Sequence, residues 1–122
     1  MGNGLFPATL LENAPQNCRL NCEEVFGPVA TLEKVENAEQ ALKKMSEGSY
    51  GLQAGIFTKD LKLALQAWRE LPYGGIIIND IPAFRSDAMP YGGSKDSGIG
   101  REGVRYAMEE YSEIKTLVIN PA

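Results

Sequence analysis

Two carboxylates stand side by side in CEEVFGPV, residues 22–29, followed within the motif by an aromatic ring, a glycine and a proline. An ionised carboxylate carries two acceptor oxygens. Side chains alternate along an extended segment, so Glu24 and Phe26 are expected on one face and Glu23 and Val25 on the other. The competing expectation is a pair of solvated charges beside a core phenylalanine. Two thiols, Cys18 and Cys22, come just before. A zinc site needs further ligands and the chain has no histidine, so no metal is expected. The thiols read as ordinary reduced cysteines packed as small hydrophobes, the alternative being a nucleophile activated without histidine.

A second cluster lies near the other end. GIGREG, Gly98 to Gly103, fits the dinucleotide fingerprint G-x-G-x-x-G letter by letter. That mechanism needs a strand directly before the first glycine and an acid about 20 residues on. Here a polar, lysine-bearing loop precedes it, and Ile119 and Asn120 stand where the acid belongs. The glycines are therefore expected to permit tight turns at a helix start. GGSKDSG likewise lacks the adjacent Lys-Ser/Thr pair of a phosphate loop.

The elements that must carry these residues alternate between strand and helix. PVATLEKV (28–35) is β-prone. NAEQALKKMSEG then places Ala38, Ala41, Leu42 and Met45 at helical spacing, with Asn37 as N-cap, Gln40 three residues on and Gly48 as stop. LQAGIFT (52–58) is a second strand. Asp60 opens a second helix with Leu61, Ala64, Leu65 and Trp68 as its stripe, which Pro72 ends. GGIIIND (74–80) is a third strand, a helix is expected near 100–111 on Val104, Ala107, Met108 and Tyr111, and EIKTLVIN (113–120) is a last strand. The pattern predicts an α/β fold: a parallel β-α-β-α-β sheet with helices on its faces, in one compact unit. The long Gly- and Pro-marked loop at 81–100 follows the third strand, where open parallel sheets bind ligands.

Composition narrows the classes. The 122 residues are 43% hydrophobic and 23% charged, ordinary for a globular chain, with a formal net charge of −4. Nothing resembles the basic clusters that neutralise nucleic-acid phosphates, and no apolar run approaches bilayer length. MGNGLF begins like an acylation signal but has Phe6 where Ser or Thr is wanted. Neither nucleic acid nor membrane is expected as a partner, and the cytoplasm is the expected compartment.

EEVFGPV, SYGLQAGIFTKD and MPYGGSKDSGIGREG occur in that order, and through them the chain resembles the C-terminal part of the catalytic domain of the NAD(P)-dependent aldehyde dehydrogenases. The likeness runs from LFPATLL to EIKTLVIN, so residues 1–122 are expected to form a partial catalytic domain with a terminal oligomerisation strand at about 113–120. The resemblance implies that Glu24 accepts hydrogen bonds from the nicotinamide ribose hydroxyls of NAD or NADP and that Phe26 packs near the nicotinamide ring, with Glu23 structural. It also implies that Phe84, Arg85 and Tyr91 lie at or near the aldehyde tunnel. Arg85 then either pairs with an anionic substrate group or orders the loop through Asp87. Asn79, Gly92 and Gly93 match family positions and read as shaping the backbone.

The family oxidises an aldehyde to an acid through a cysteine thiohemiacetal. Its nucleophile, oxyanion asparagine and general base all lie upstream of EEVFGPV, and neither Cys18 nor Cys22 sits in the nucleophile motif. The chain is accordingly expected to be a fragment, inactive alone, that associates as a homo-oligomer through its terminal strand. The alternatives are a stand-alone small α/β binding or assembly module derived from that fold, and an unrelated nucleotide-binding protein using GIGREG.

Overall fold

A computed structural model of the chain describes residues 4–121; Met1, Gly2 and Asn3, where the acylation-like motif begins, and Ala122 lie outside the described residues. The elements run β1 (Thr9–Glu12), α1 (Arg19–Cys22), β2 (Val29–Leu32), α2 (Ala38–Glu47), β3 (Tyr50–Gly51), β4 (Gln53–Ile56), α3 (Leu61–Glu70), β5 (Gly75–Ile78), β6 (Ser94–Lys95) and α4 (Val104–Glu110). Where the sequence suggests one unit, the residues gather into two. The first is formed by the described residues up to Ser49 with Lys59–Pro72, the second by Tyr50–Thr58 with the residues from Tyr73 onward. Neither is continuous in sequence, so no linker marks the division.

In the first unit β1 and β2 pair in parallel, from Thr9 opposite Val29 to Glu12 opposite Leu32. The strand at 29–32 was expected; its partner TLLE was not, because four residues carry too little periodicity to declare themselves. α2 begins where Asn37 predicts. Its Oδ1 accepts from the Gln40 amide at 2.9 Å, and the Gln40 side chain accepts in turn from the Glu36 amide at 2.7 Å. The first bond satisfies an amide that the first turn would leave unpaired, and the second ties the residue before the cap to the helix. α3 opens in the same manner, with Asp60 Oδ1 accepting from the Lys62 amide at 2.8 Å.

α2 and α3 lie against each other, and Leu42, Ala64, Ala67 and Leu71 are the buried apolar residues of this unit. The buried side of α3 thus runs through Ala64, Ala67 and Leu71, while Leu61, Leu65 and Trp68 of the expected stripe are exposed at 71, 48 and 67%. A helix with apolar residues on more than one side shows which side packs only once its neighbour is known.

The second unit holds the parallel pair β4 and β5, with Gln53 opposite Gly75 and Ile56 opposite Ile78, and the short antiparallel pair β3 and β6. Ala54 is its buried apolar residue. The chain is therefore α/β with parallel strand pairs, as predicted, but those pairs form separate two-stranded sheets. Residues 113–120 form no strand, and Ile114, Leu117, Val118 and Ile119 are all exposed. A strand exists only with a ladder partner, and among the described residues this segment has none.

Two predictions follow from these local arrangements. Asn37→Ala is expected to cost about 1 kcal/mol in urea denaturation and Asn37→Gly only a few tenths, because glycine keeps the cap conformation available. Burial holds the Tyr73 phenol above its usual ionisation range. A folded-state value raised above the unfolded one gives stability that is complete below the unfolded pKa and lost as pH rises through the folded one. The urea midpoint should therefore fall as pH rises above about 10, and fall less in Tyr73→Phe.

Candidate functional site

The CEEVF segment begins in the single turn of α1. Glu23 caps that turn in extended conformation, its amide donating to the Arg19 carbonyl at 2.8 Å. One helical turn separates Arg19 from Glu23, which brings guanidinium and carboxylate together. Arg19 Nε donates to both Glu23 oxygens at 3.0 and 3.1 Å, and Nη2 to Oε2 at 2.9 Å. The same hydrogen bonding raises the Arg19 pKa above its ordinary value. Glu24, the next residue, makes no hydrogen bond or ion pair among the described residues. It is exposed and lines a shallow depression with Arg19, Leu20, Glu23 and Val25. Of two adjacent carboxylates one is thus engaged and one is available.

Phe26 is 94% exposed, so it is no core residue of this chain. Strict alternation does not run through it. The Gly27 amide donates to the Val25 carbonyl at 2.9 Å and the Val29 amide to the Gly27 carbonyl at 2.8 Å, making two successive three-residue turns. Pro28 then accepts from the Thr9 amide at 2.9 Å, which ties the bend to β1. Gly27 and Pro28 do make the bend into the strand, and Phe26 is the centre of its first turn.

The two thiols are free. Cys18 is half-buried and Cys22 is exposed with Sγ 3.4 Å from the Gln16 carbonyl oxygen, so Cys22 does not pack as a buried hydrophobe. Among the described residues no group of three or more side chains is placed to hold a metal ion, and no helix is long and apolar enough to cross a membrane.

The second cluster is organised from the ends of β4 and β5. Asn79 takes φ +61°, its amide donates to the Ile56 carbonyl at 2.8 Å, and its Oδ1 accepts from the Thr58 amide at 2.8 Å. Asparagine is among the few side chains at ease in that left-handed region. The loop that leaves Asn79 is tied back to β4 where Gln53 Nε2 donates to the Phe84 carbonyl at 2.8 Å; the Phe84 side chain is exposed.

Arg85, next in line, does not pair with Asp87. Its Nη2 donates to Glu102 Oε2 at 2.9 Å, and its guanidinium lies 4.2 Å from the centroid of the Tyr91 ring. Tyr91 and Glu102 exchange backbone hydrogen bonds in both directions, 3.1 and 2.6 Å. Arg85, Tyr91 and Glu102 thus form one group; only Glu102 was missed, since 17 residues of separation leave no periodic signal. The Arg85–Asp87 pair, one of the two alternatives for Arg85, is the local choice, and the folded loop pairs Arg85 with Glu102 instead.

GIGREG does turn rather than cradle. Gly98, Gly100 and Gly103 all have positive φ, and α4 starts only after Gly103. Arg101 Nη1 donates to the carbonyls of Gly93 at 2.8 Å and Gly100 at 2.7 Å, curling the loop on itself. A Cβ on Gly93 would meet Ser97, its carbonyl oxygen at 2.7 Å, so Gly93 is fixed by space, in keeping with a backbone role.

The chain matches the model of the aldehyde dehydrogenase family over residues 2–117. It is 47% identical over 116 residues to a lactaldehyde dehydrogenase of Methanococcus maripaludis, covering 95% of this chain and 24% of that protein. Among solved structures it is similar to glyceraldehyde-3-phosphate dehydrogenase GapN of Methanocaldococcus jannaschii complexed with NADP, with a TM-score of 0.87 and 43% identity over 98% of this chain and 26% of that one. It is also similar to aldehyde dehydrogenase 21 of Physcomitrella patens in complex with the product succinate, with a TM-score of 0.79 and 50% identity over 83% of this chain and 21% of that one. The chain spans about a quarter of the length of the curated relatives it matches.

Asn79 offers a test of the loop anchor. Asn79→Ala removes the Thr58 hydrogen bond and strains the backbone, whereas Asn79→Gly removes only the bond. Losses of about 2 and about 1 kcal/mol are expected by denaturant unfolding, and the reverse order would contradict the geometry.

Proposed function

The chain belongs to the aldehyde dehydrogenase family, and from that premise we propose that it forms part of an NAD(P)-dependent enzyme that oxidises an aldehyde to a carboxylic acid through a cysteine thiohemiacetal. The nucleophile, the oxyanion asparagine and the general base are supplied by polypeptide other than these 122 residues. Glu24 and Phe26 contribute to the cofactor site, and Phe84, Arg85 and Tyr91 to the substrate side. Whole-enzyme action in the cytoplasm as a homo-oligomer, joined through the apolar segment at 113–120, belongs to the same proposal.

The observation that carries it is the unequal fate of the two carboxylates. Arg19 occupies Glu23 with three hydrogen bonds, while Glu24 is exposed and has no partner among the described residues. A vicinal diol supplies two donors and Glu24 two acceptor oxygens, so the residue present fits the ribose of a nicotinamide nucleotide. The exposed Phe26 ring offers the apolar contact that restrains a planar ring beside it. When bound, NAD(P)⁺ accepts the hydride released as the thiohemiacetal is oxidised. This chain's own part is to orient: Glu24 holds hydroxyls, and Phe26 limits lateral drift and excludes water.

Arg85 gives the substrate side its charge. A guanidinium over an aromatic face recognises a planar oxyanion, which suits an aldehyde carrying a carboxylate or similar anionic group. A free-standing module is a poorer reading. Ile99, Phe26 and Tyr111 are exposed at 104, 94 and 92%, a surface suited to being covered by further polypeptide.

The test has two parts. The purified 122-residue chain should produce no NAD(P)H from aldehydes, and production would overturn the proposal. In the enzyme assembled with the remaining polypeptide, Glu24→Gln should raise the cofactor KM about tenfold, the scale of one hydrogen bond to a charged group, and Glu23→Gln less than about twofold. Equal effects at the two positions would contradict the assignment.

A further inference from the structure

We infer that Gln53 is a positioning residue for the substrate side of the site. Its side chain passes over the bare backbone of Gly75 and holds the Phe84 carbonyl, which seats residues 80–84 in a glycine-cleared trough on the β4–β5 pair. The inference rests on the reading of Phe84 as a substrate-side residue and adds the device that keeps it in place.

The trough follows from register. Gln53 and Gly55 are two apart on β4 and share a face, and the parallel pairing sets Gln53 opposite Gly75 and Gly55 opposite Ile77. Two of these four positions carry no side chain. Glycine weakens a strand, and it marks places where another group must come close. A Cβ on Gly55 would stand 2.7 Å from the Asp80 carbonyl oxygen and 3.1 Å from Pro82 Cδ. A Cβ on Gly75 would stand 3.3 Å from Gln53 Cγ and 3.4 Å from Gln53 Nε2. The first glycine admits the returning loop, and the second admits the side chain that holds it.

Both contacts agree on the path of the loop. Pro82 lies at Gly55 and Phe84 at Gln53, so the chain runs back along β4 in the opposite sense. Pro82 has no amide hydrogen and packs at Gly55 without donating there. The polar tie comes two residues later, where Gln53 Nε2 donates to the Phe84 carbonyl at 2.8 Å. That bond fixes the peptide plane following Phe84 and leaves the ring itself 54% exposed. The point from which the ring projects is thereby set, as a wall of a binding site requires.

The tie is separate from the sheet. The β4–β5 ladder joins backbone groups from Gln53 and Gly75 to Ile56 and Ile78, and Ala54, on the other face of β4, is the buried residue. Loss of the Gln53 amide therefore frees the loop and leaves the strands paired. A loop seated for part of the time presents a competent site for that fraction only. The aldehyde KM then rises as the fraction falls, with kcat little changed.

Every contact of the trough lies within this chain, so the first measurement uses the full 122 residues. Trypsin cleavage after Arg85 is timed against cleavage after Arg105 in α4, which reports on the same unit away from the loop. Gln53→Glu keeps the length of the side chain and sets an acceptor where the donor was. It should speed cleavage after Arg85 at least about threefold and leave Arg105 unchanged. Gly75→Ala should speed it about twofold, yet add nothing in Gln53→Ala, where no Cγ remains to be displaced. No acceleration, equal acceleration at both sites, or additive effects of Gly75→Ala and Gln53→Ala overturns the tie. The second measurement uses the enzyme assembled with the remaining polypeptide and propanal as the aldehyde. Gln53→Glu should raise the propanal KM at least about threefold, with kcat and the cofactor KM within about twofold. A raised propanal KM in Phe84→Ala with an unchanged one in Gln53→Glu overturns the role of Gln53 alone. An unchanged KM in Phe84→Ala overturns the reading of Phe84.

Discussion

The parallel ladder between β4 and β5 ends on one side chain. Asn79 leaves β5 in the left-handed region and reaches across to the Thr58 amide, closing a backbone donor just beyond the end of β4. Without that closure the two strand ends would splay, and the loop that follows would start from a variable direction. Everything downstream depends on this departure. Gln53 then secures the Phe84 carbonyl, and the chain arrives at Arg85 with little freedom left. A functional loop needs such anchoring, because a guanidinium displaced by an ångström no longer meets its partner in line.

Charge is distributed by the same economy in both clusters. Arg19 and Glu23 lie one helical turn apart, so their pairing is decided locally and closes both forks. Arg85 and Glu102 are brought together only because Tyr91 and Glu102 share backbone hydrogen bonds. The first pair engages one of two adjacent carboxylates and leaves Glu24 without a partner among the described residues; the second engages Arg85 with one nitrogen on one oxygen. Neither pair is buried, and exposed ion pairs contribute at most about 1 kcal/mol, so their importance lies in which groups they leave available.

What could be read in the sequence was local. Asn37 with Gln40 three residues on, and Asp60 before an apolar run, describe hydrogen bonds within one turn, and the helices start there. The isoleucines of β5 and the apolar run of β4 likewise declare strands. Glu24 could be singled out because its motif is contiguous, although its lack of a partner became visible only with Arg19 seated on Glu23. What could not be read depends on distant partners. β1 is short and identified only by its pairing with β2. Asp87 is two residues from Arg85 and looked like its partner, yet Glu102 won because backbone pairing brings it closer than chain proximity does Asp87. The same holds for α3, where Leu61, Leu65 and Trp68 obey helical spacing but Ala64, Ala67 and Leu71 are the residues buried.

That last discrepancy has a physical meaning. Buried apolar residues in the first unit include two alanines, which contribute little area, while Leu61, Leu65 and Trp68 remain in water. A tryptophan is among the most costly side chains to leave exposed, with about 25 cal/mol for each Å² of apolar surface at stake. Two-stranded sheets are marginal on their own. The buried side of α3 is small and its bulky side lies in water, which leaves the bulky side as a contact surface rather than a core. α4 buries no residue, and Val104, Met108 and, at its end, Tyr111 are exposed as well. A helix with small residues on its packed side and large ones on its free side is built to be covered. Under the proposed function, the polypeptide that covers these faces is also the polypeptide that supplies the catalytic groups.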